Sequence, residues 1–505
     1  MGEGRFCLVQ EGLPPGLEGM LAPYLARQRW FAGTGAPSAV RVLESGALSE
    51  PPTGGRLLWA VVAAPLDRYQ LLLAERASDQ AEARVAGHEA ALLGSSGGRT
   101  YYDATVDGEM AIAFLEAASG GTEHADIARP LVAEQSNTSV VYDERLILKI
   151  FRRLSGGPNL DTEVTTALAR AGFTHVARPV LRWRKAGTDL AFGQEYLAGG
   201  TDGWTLALTS LRDLCSPEAT GGEAPTGGDL AGPGQRGGDF AGEAERLGLV
   251  TAEMHLSMAG AFGTSRDWSS SWARLLASAE TELQAVGPDL AKAAQPLFQR
   301  FHAVSDLGLA VRPHGDYHLG QVMRTDSGWY VLDFEGEPNR PLEERQRALS
   351  PMKDVAGMVR SFDYAAQFGA AQFGALQAGA AQAGAVQAGA VQADRAGPGA
   401  GGPAVETLGS LTMAWEARNI EAFVRGYLGC SGIEELLPAS EGDREALRLA
   451  FELEKVLYEL SYERAFRPGW AAIPLNALRR LCGGVGGAFA GPAARAGEVP
   501  KGKAG

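Results

Sequence analysis

His314-Gly315-Asp316-Tyr317-His318-Leu319-Gly320-Gln321, with Asp333 twelve residues beyond Gln321 at the end of an apolar stretch, is the part of this 505-residue chain that decides how the rest is read. Moving a phosphoryl group onto an alcohol needs a carboxylate to take the hydroxyl proton, and side-chain oxygens to hold Mg2+ on nucleotide phosphates. A loop carrying Asp316 and Gln321, followed by a hairpin that returns Asp333 beside them, would supply all three groups. Gly315 lets the backbone pass close to a substrate, and Gly320 is expected at a positive φ just before the strand. Either aspartate alone would read as an ordinary turn or strand end. It is the combination at this spacing that points to chemistry.

Working outward, residues 321–325 and 329–334 read as a strand pair in a region that is otherwise mainly helical beyond Trp204. Upstream, residues 139–142 and 146–151 flank the polar Asp143-Glu144-Arg145 and predict a hairpin, followed by a helix over 161–171 and a strand over 192–197. Alternation in 146–151 points Lys149 away from its apolar neighbours, and Glu163 falls on the next helix. The first ninety residues combine a helical pattern at 17–28 with apolar runs at 56–64 and 69–74, a small α+β unit. Small polar residues Ser136, Asn137, Thr138 and Ser139 could cover phosphates with hydroxyls and backbone N–H groups. No GxxxxGK[ST] segment occurs, so a Walker-type ATPase is not expected.

Length predicts two or three domains. With a net charge of −14 and an isoelectric point near 5.2, the surface repels a phosphate backbone, so nucleic-acid binding is not expected and phosphates must be neutralised by individual cations. The four cysteines form no metal or disulfide framework, which suits a reducing cytoplasm, and neither a signal peptide nor an apolar run long enough to span a membrane is read. Residues 217–242, rich in Gly, Ala and Pro, and residues 365–404, which repeat a pentad such as AAQFG, read as flexible insertions. The tail 491–505 reads as disordered.

HGD, a downstream amide and a strand-terminal Asp together resemble the aminoglycoside-phosphotransferase-like kinases. The runs EQSNTS (134–139), LDFEGEPNRPLEER (332–345) and SPMKDVAGMVRSFDYAA (350–366) resemble the bacterial maltokinases more narrowly. That resemblance implies an α+β, bilobal protein-kinase-like fold: an N-terminal cap subdomain (1–98), a β-rich N-lobe subdomain (99–200) and a helical C-lobe (201–490). It implies Asp316 as the catalytic base, Gln321 and Asp333 as Mg2+ ligands, and Lys149 with Glu163 as the strand-lysine and helix-glutamate pair that aligns ATP. Gln321 departs from the asparagine usual at its position. Glu195, Tyr196 and Leu197 fall where a hinge would meet adenine. His314, Glu335, Lys455 and Tyr458 are the expected acceptor contacts, and Asp354 either braces the catalytic loop or touches ligand. The implied reaction is cytoplasmic phosphorylation of maltose by ATP to maltose 1-phosphate for glycogen synthesis, with trehalose synthase or a maltosyltransferase as possible partners. A kinase of glucosamine, an aminoglycoside or another small alcohol is the alternative enzyme, and a pseudokinase scaffold the alternative class.

Overall fold

The computed structural model describes residues 2–3, 9–33, 35–65, 67–131, 137–215, 239–337, 340–387 and 403–483, with backbone alone over 2–3, 9–10, 374–387 and 403–408. Two compact units divide them, one of residues 1–170 and 176–199, the other of 171–175 and 200–505. Among the described residues no helix is long and apolar enough to cross a membrane.

The first unit holds two sheets on a shared core. One runs Val9–Gln10, Arg41–Ser49, Arg56–Ala64, Asp67–Ala77, Arg99–Asp103, Leu92–Ser96, with Arg153–Leu154 added beside Asp67–Ala77. The other runs Gly2–Glu3, Pro179–Lys185, Thr188–Glu195, Leu146–Ile150, Thr138–Tyr142, Ala128–Pro130. Arg56–Ala64 is apolar almost throughout because both of its faces are covered. Leu57, Trp59 and Val61 join a core with Leu148, Ile150 and Trp183 of the second sheet, while Leu58, Ala60 and Val62 join another with Leu21, Tyr24 and Leu25 of the helix Glu18–Leu25. Arg99–Asp103 pairs with Leu92–Ser96, so the expected subdomain end at 98 falls in the turn of one hairpin; the cap's sheet continues past it. The predicted hairpin forms with Asp143 and Glu144 both left-handed, at φ 48° and 51°, as a tight hairpin turn requires. The Asp143 carboxylate accepts from the Ile127 and Asp126 amides, which fixes the neighbouring strand.

Helices dominate the second unit, around a small antiparallel sheet of Thr201–Asp202, Val322–Thr325 and Gly328–Val331. Ala241–Phe262 and Pro403–Leu428 cross at backbone contact: a Cβ on Gly248 would overlap the Phe423 carbonyl, and one on Gly426 the Glu245 carbonyl. Two expectations need correction here. Residues 241–242, expected in a flexible insertion, begin the first of these helices, while 216–238 lie outside the described residues. The pentad repeat is helical in the continuous helix Met352–Gln387 rather than looped. Ala and Gln favour helix, and elongation from the packed turns at 352–363 costs little once nucleation is done. Ala365 and Ala366 are buried, Gly369 admits Leu211 at 3.2 Å from where a Cβ would sit, and Phe368 stacks on Trp470 at 5.1 Å. Residues 388–402 of the repeat and the tail 491–505 lie outside the described residues.

Candidate active site

Within the second unit the loop 314–321 is held from below by one face of the helix Met352–Gln387. Asp354, in its first turn, accepts from the amides of His314 at 2.7 Å and Gly315 at 2.9 Å. Ser361, seven residues on and so two turns along the same face, accepts from the Leu319 amide at 3.0 Å. Between them lies Gly357, where a Cβ would come 2.5 Å from the Tyr317 carbonyl, so only glycine lets the loop lie this close. Asp354 thus braces the loop 314–321. Its other partner is His255, whose Nε2 donates at 3.0 Å and whose Nδ1 is 2.9 Å from the Tyr427 hydroxyl. Burial alone would raise the Asp354 carboxyl, but the His255 hydrogen bond and the loop amides hold it below the ordinary range.

His314, expected at the sugar, is a correction. Its side chain is buried, packed on Phe334 at 4.8 Å, with Nε2 donating to the Leu332 carbonyl at 2.9 Å and Nδ1 facing the Asp316 amide. Both ring nitrogens are spent on shaping the loop. Gly315 has the expected left-handed backbone, φ 90°, but Gly320 does not: it sits in the short turn Leu319–Gln321, where a Cβ would press the His318 ring at 2.9 Å.

The Asp316 carboxylate accepts from Lys455 Nζ at 3.0 Å, and the same ammonium donates to Glu337, also at 3.0 Å. Lys455 lies on the helix Glu441–Phe466. Burial would raise Asp316, but Lys455, then His318, hold its carboxyl well below the usual carboxylate range. Glu337 is likewise drawn down to about 2, against its burial, by Lys353, Lys455 and Arg340. Lys455 itself is raised: its two carboxylates outweigh the desolvation that would lower it. From Glu337 the charges continue through Arg340 to Glu454 at 2.8 Å and on to Lys353 at 3.4 Å. Beside this chain opens a cleft of about 510 Å3 lined by Gly315, Gly336, Glu337, Arg340, Lys353 and Tyr458 among others. Tyr458, expected at the acceptor, lines this cleft, while Lys455, expected there too, faces Asp316 and has the Tyr458 ring 5.2 Å from its ammonium.

Gln321 and Asp333 come together, amide nitrogen to carboxylate, at 3.4 Å. Asp333 takes the left-handed region, φ 61°, uncommon outside glycine and best tolerated by Asp and Asn. Glu335, expected at the sugar, brings a carboxylate oxygen within 4.8 Å of Asp333 instead, and is not among the residues lining the cleft. Carboxylate and amide oxygens are the hard donors Mg2+ takes; a half-turn of the Gln321 amide would present its oxygen to the same point, so the donor set fits the ion.

In the first unit, Lys149 reaches Asp161 at 3.3 Å, a partner two residues before the expected Glu163 on the helix Leu160–Arg170. Ser139 is the direct cross-strand neighbour of Lys149. Thr138 is turned to Arg152, which donates to its hydroxyl at 2.8 Å, and Arg152 in turn grips the buried Asp103 at 2.7 Å. That Arg152–Asp103 pair, which also takes the Tyr24 hydroxyl at 2.7 Å, joins the cap to the strand bearing Lys149; sequence reading missed it, because its members lie far apart in the chain. Asn137 is buried, and Ser136 lies outside the described residues. At the chain's exit from this sheet, the Glu195 amide donates to the Arg178 carbonyl and the Tyr196 amide to the Arg145 carbonyl; Leu197 follows them.

Residues 24–107 match the family described as the maltokinase N-terminal cap domain. Over 272 residues the chain is 30% identical to a glucosamine kinase of Streptacidiphilus jiangxiensis, covering 50% of this chain and 58% of that protein. A glucosamine kinase of Mycolicibacterium smegmatis is 28% identical over 253 residues, 47% of this chain and 59% of that one. The matched stretches thus span less than two thirds of these curated relatives. Among solved structures, a glucosamine kinase in complex with glucosamine, ADP and inorganic phosphate superposes over 92% of this chain and 99% of its own, with a TM-score of 0.57 at 21% identity. Residues 24–107 are thus similar to the maltokinase N-terminal cap domain, and the chain has the fold of that solved glucosamine kinase.

Proposed function

We propose that the protein transfers the γ-phosphoryl group of ATP to the anomeric hydroxyl of maltose. The observation that carries a phosphotransferase reading is Asp316, an ionised carboxylate on a braced loop beside an open cleft. The acceptor hydroxyl would lie against Asp316, which takes its proton as the phosphoryl group arrives. Gln321 and Asp333 would hold Mg2+, whose charge offsets that of the nucleotide phosphates. Lys149, aligned by Asp161 and Glu163, would bind phosphate oxygens, and Glu195 to Leu197 would meet the base. Asp354, Ser361 and His314 keep the loop in place so that little reorganisation is needed at the moment of transfer.

The choice of maltose is supported by the cap domain and by the charge of the cleft. Of its carboxylates Glu282, Glu337, Glu344 and Glu454, Glu337 and Glu454 are engaged by Arg340, Lys353 or Lys455 and Glu344 lies 3.7 Å from Arg340, while Arg274, Arg345 and Arg347 add positive charge to the wall. A neutral sugar suits such a wall better than an ammonium. Tyr458 offers the apolar face that sugar rings take. The second reading is glucosamine, supported by the activity named for the relatives. Coupled ADP release with maltose, glucose, glucosamine and kanamycin, followed by NMR of the product, separates the two. Maltose should exceed glucose in kcat/KM by ~10-fold or more, because a missing ring leaves polar groups unpaired. Preference for glucosamine, or phosphate on the 6-hydroxyl, overturns the maltose reading.

A further inference from the structure

Lys455 sits at a place that the sequence assigns to the sugar, yet its ammonium is saturated by protein carboxylates. It donates to Asp316 and to Glu337, both at 3.0 Å, and its side chain is largely buried. An ammonium has three protons, and two of them are directed at fixed carboxylates that hold it along a line between helix and loop. Glu337 is in turn locked by Arg340, and the Arg340 guanidinium by Glu454 on the same helix as Lys455, one residue before it. The contacts close into a ring, from Lys455 on the helix to Glu337, from Glu337 to Arg340 and from Arg340 back to Glu454 on the same helix, and Asp316 is held at its Lys455 corner.

We infer that Lys455 is a positioning residue that orients Asp316 and keeps it ionised, with Glu337 as its anchor, and that neither side chain selects the acceptor. This rests on the reading of Asp316 as the base. The groups facing Asp316 are few and named: Lys455 from the helix, His318 with Nε2 4.0 Å away, and His314 from its own loop. Burial lowers the His318 imidazole while Asp316 opposes that shift, and the permanent ammonium beside this carboxylate is that of Lys455. Removing that charge leaves a partly buried carboxylate without its nearest cation, so it protonates more readily. An acceptor-binding lysine would behave differently, since its loss would weaken sugar binding and leave the base as it was.

Two experiments decide it. In the protein without ligands, thermal unfolding at pH 7 is measured for Lys455→Met, Asp316→Asn and the double variant. Lys455→Met should lower the melting temperature, and adding Asp316→Asn should restore part of the loss, because the unpaired charge is gone; a double variant as low as or lower than Lys455→Met overturns the inference. If Lys455→Met alone fails to fold, recovery of folding in the double variant is the same supporting result. The second is steady-state kinetics with whichever acceptor turns over best. Lys455→Met should lower kcat by 10-fold or more with the KM for acceptor changed less than 3-fold, move the acid limb of the kcat profile to higher pH, and be partly rescued by Lys455→Arg. Glu337→Gln should act in the same direction, more weakly, and add nothing to Lys455→Met. A rise in acceptor KM with an unmoved pH profile overturns it. Absence of turnover with every acceptor counts against the proposed function alone, since the unfolding cycle still reports on the pair.

Discussion

Two partly buried carboxylates in the helical unit are driven in opposite directions. Asp316 is held well below the ordinary range, whereas Glu416, on the helix Pro403–Leu428, is pushed up to about 8. Burial raises both. At Glu416 the Asp363 carboxylate adds to it, and Arg480 and Arg360 relieve it only partly, each being engaged elsewhere: Arg480 on Asp363, Arg360 on Asp363 and Glu459. At Asp316 the Lys455 ammonium, 3.0 Å away, is the largest opposing influence and, with His318 and His314, reverses the sign. Desolvation is therefore a shared background in this protein, and the placement of nearby cations separates a carboxylate that works ionised from one that works protonated.

The largest expected effect breaks the catalytic half of this contrast. Asp316→Asn keeps the shape and removes the proton acceptor, and kcat should fall by ~10²-fold or more while ATP binding, followed by isothermal titration, is retained. Lys149→Met tests whether the other cation paired with a carboxylate acts on nucleotide instead. There kcat/KM for ATP should drop by ~10-fold or more, with the acceptor KM little changed. Next comes the helix that carries both Asp354 and Asp363. Phe368→Ala removes a ring stacked on Trp470 and should cost about 1–2 kcal/mol in urea unfolding, which a flexible repeat would not. The smallest effect sharpens the protonated half. With its folded pKa near 8, above the ordinary 4.5, Glu416 contributes stability that is full below about pH 4.5 and is lost as pH rises toward 8. Glu416→Gln should therefore be close to neutral at pH 4.5 and stabilise on the order of 1 kcal/mol at pH 8, read as the difference in unfolding midpoint.

What the sequence made legible follows from how far apart the cooperating residues are. The nearness of Gln321 to Asp333 and the position of Lys149 on its strand were readable because each is decided within about twenty residues, by a loop, a hairpin or an alternation. The brace was half legible: DVAGMVRS puts Asp354, Gly357 and Ser361 on one helical face, but that the face meets 314–321 is a tertiary fact. The triad of Asp316, Glu337 and Lys455 draws on two segments more than a hundred residues apart, so Lys455 read as a sugar contact. The pentad repeat misled for another reason. Its glycines argue against helix locally, and the argument fails where a glycine buys close packing, as Gly369 does against Leu211.

The crossing of Ala241–Phe262 and Pro403–Leu428 extends this to residues nobody would choose to mutate. His255 stands two turns after Gly248 on the first helix, and Tyr427 directly follows Gly426 on the second; their contact supports Asp354 and, through it, the loop 314–321. Adding one methyl group at either glycine would force the helices apart and shift His255 relative to Tyr427, so the tolerance of this protein to mutation should be lowest at two positions that bear no side chain and touch no reactant.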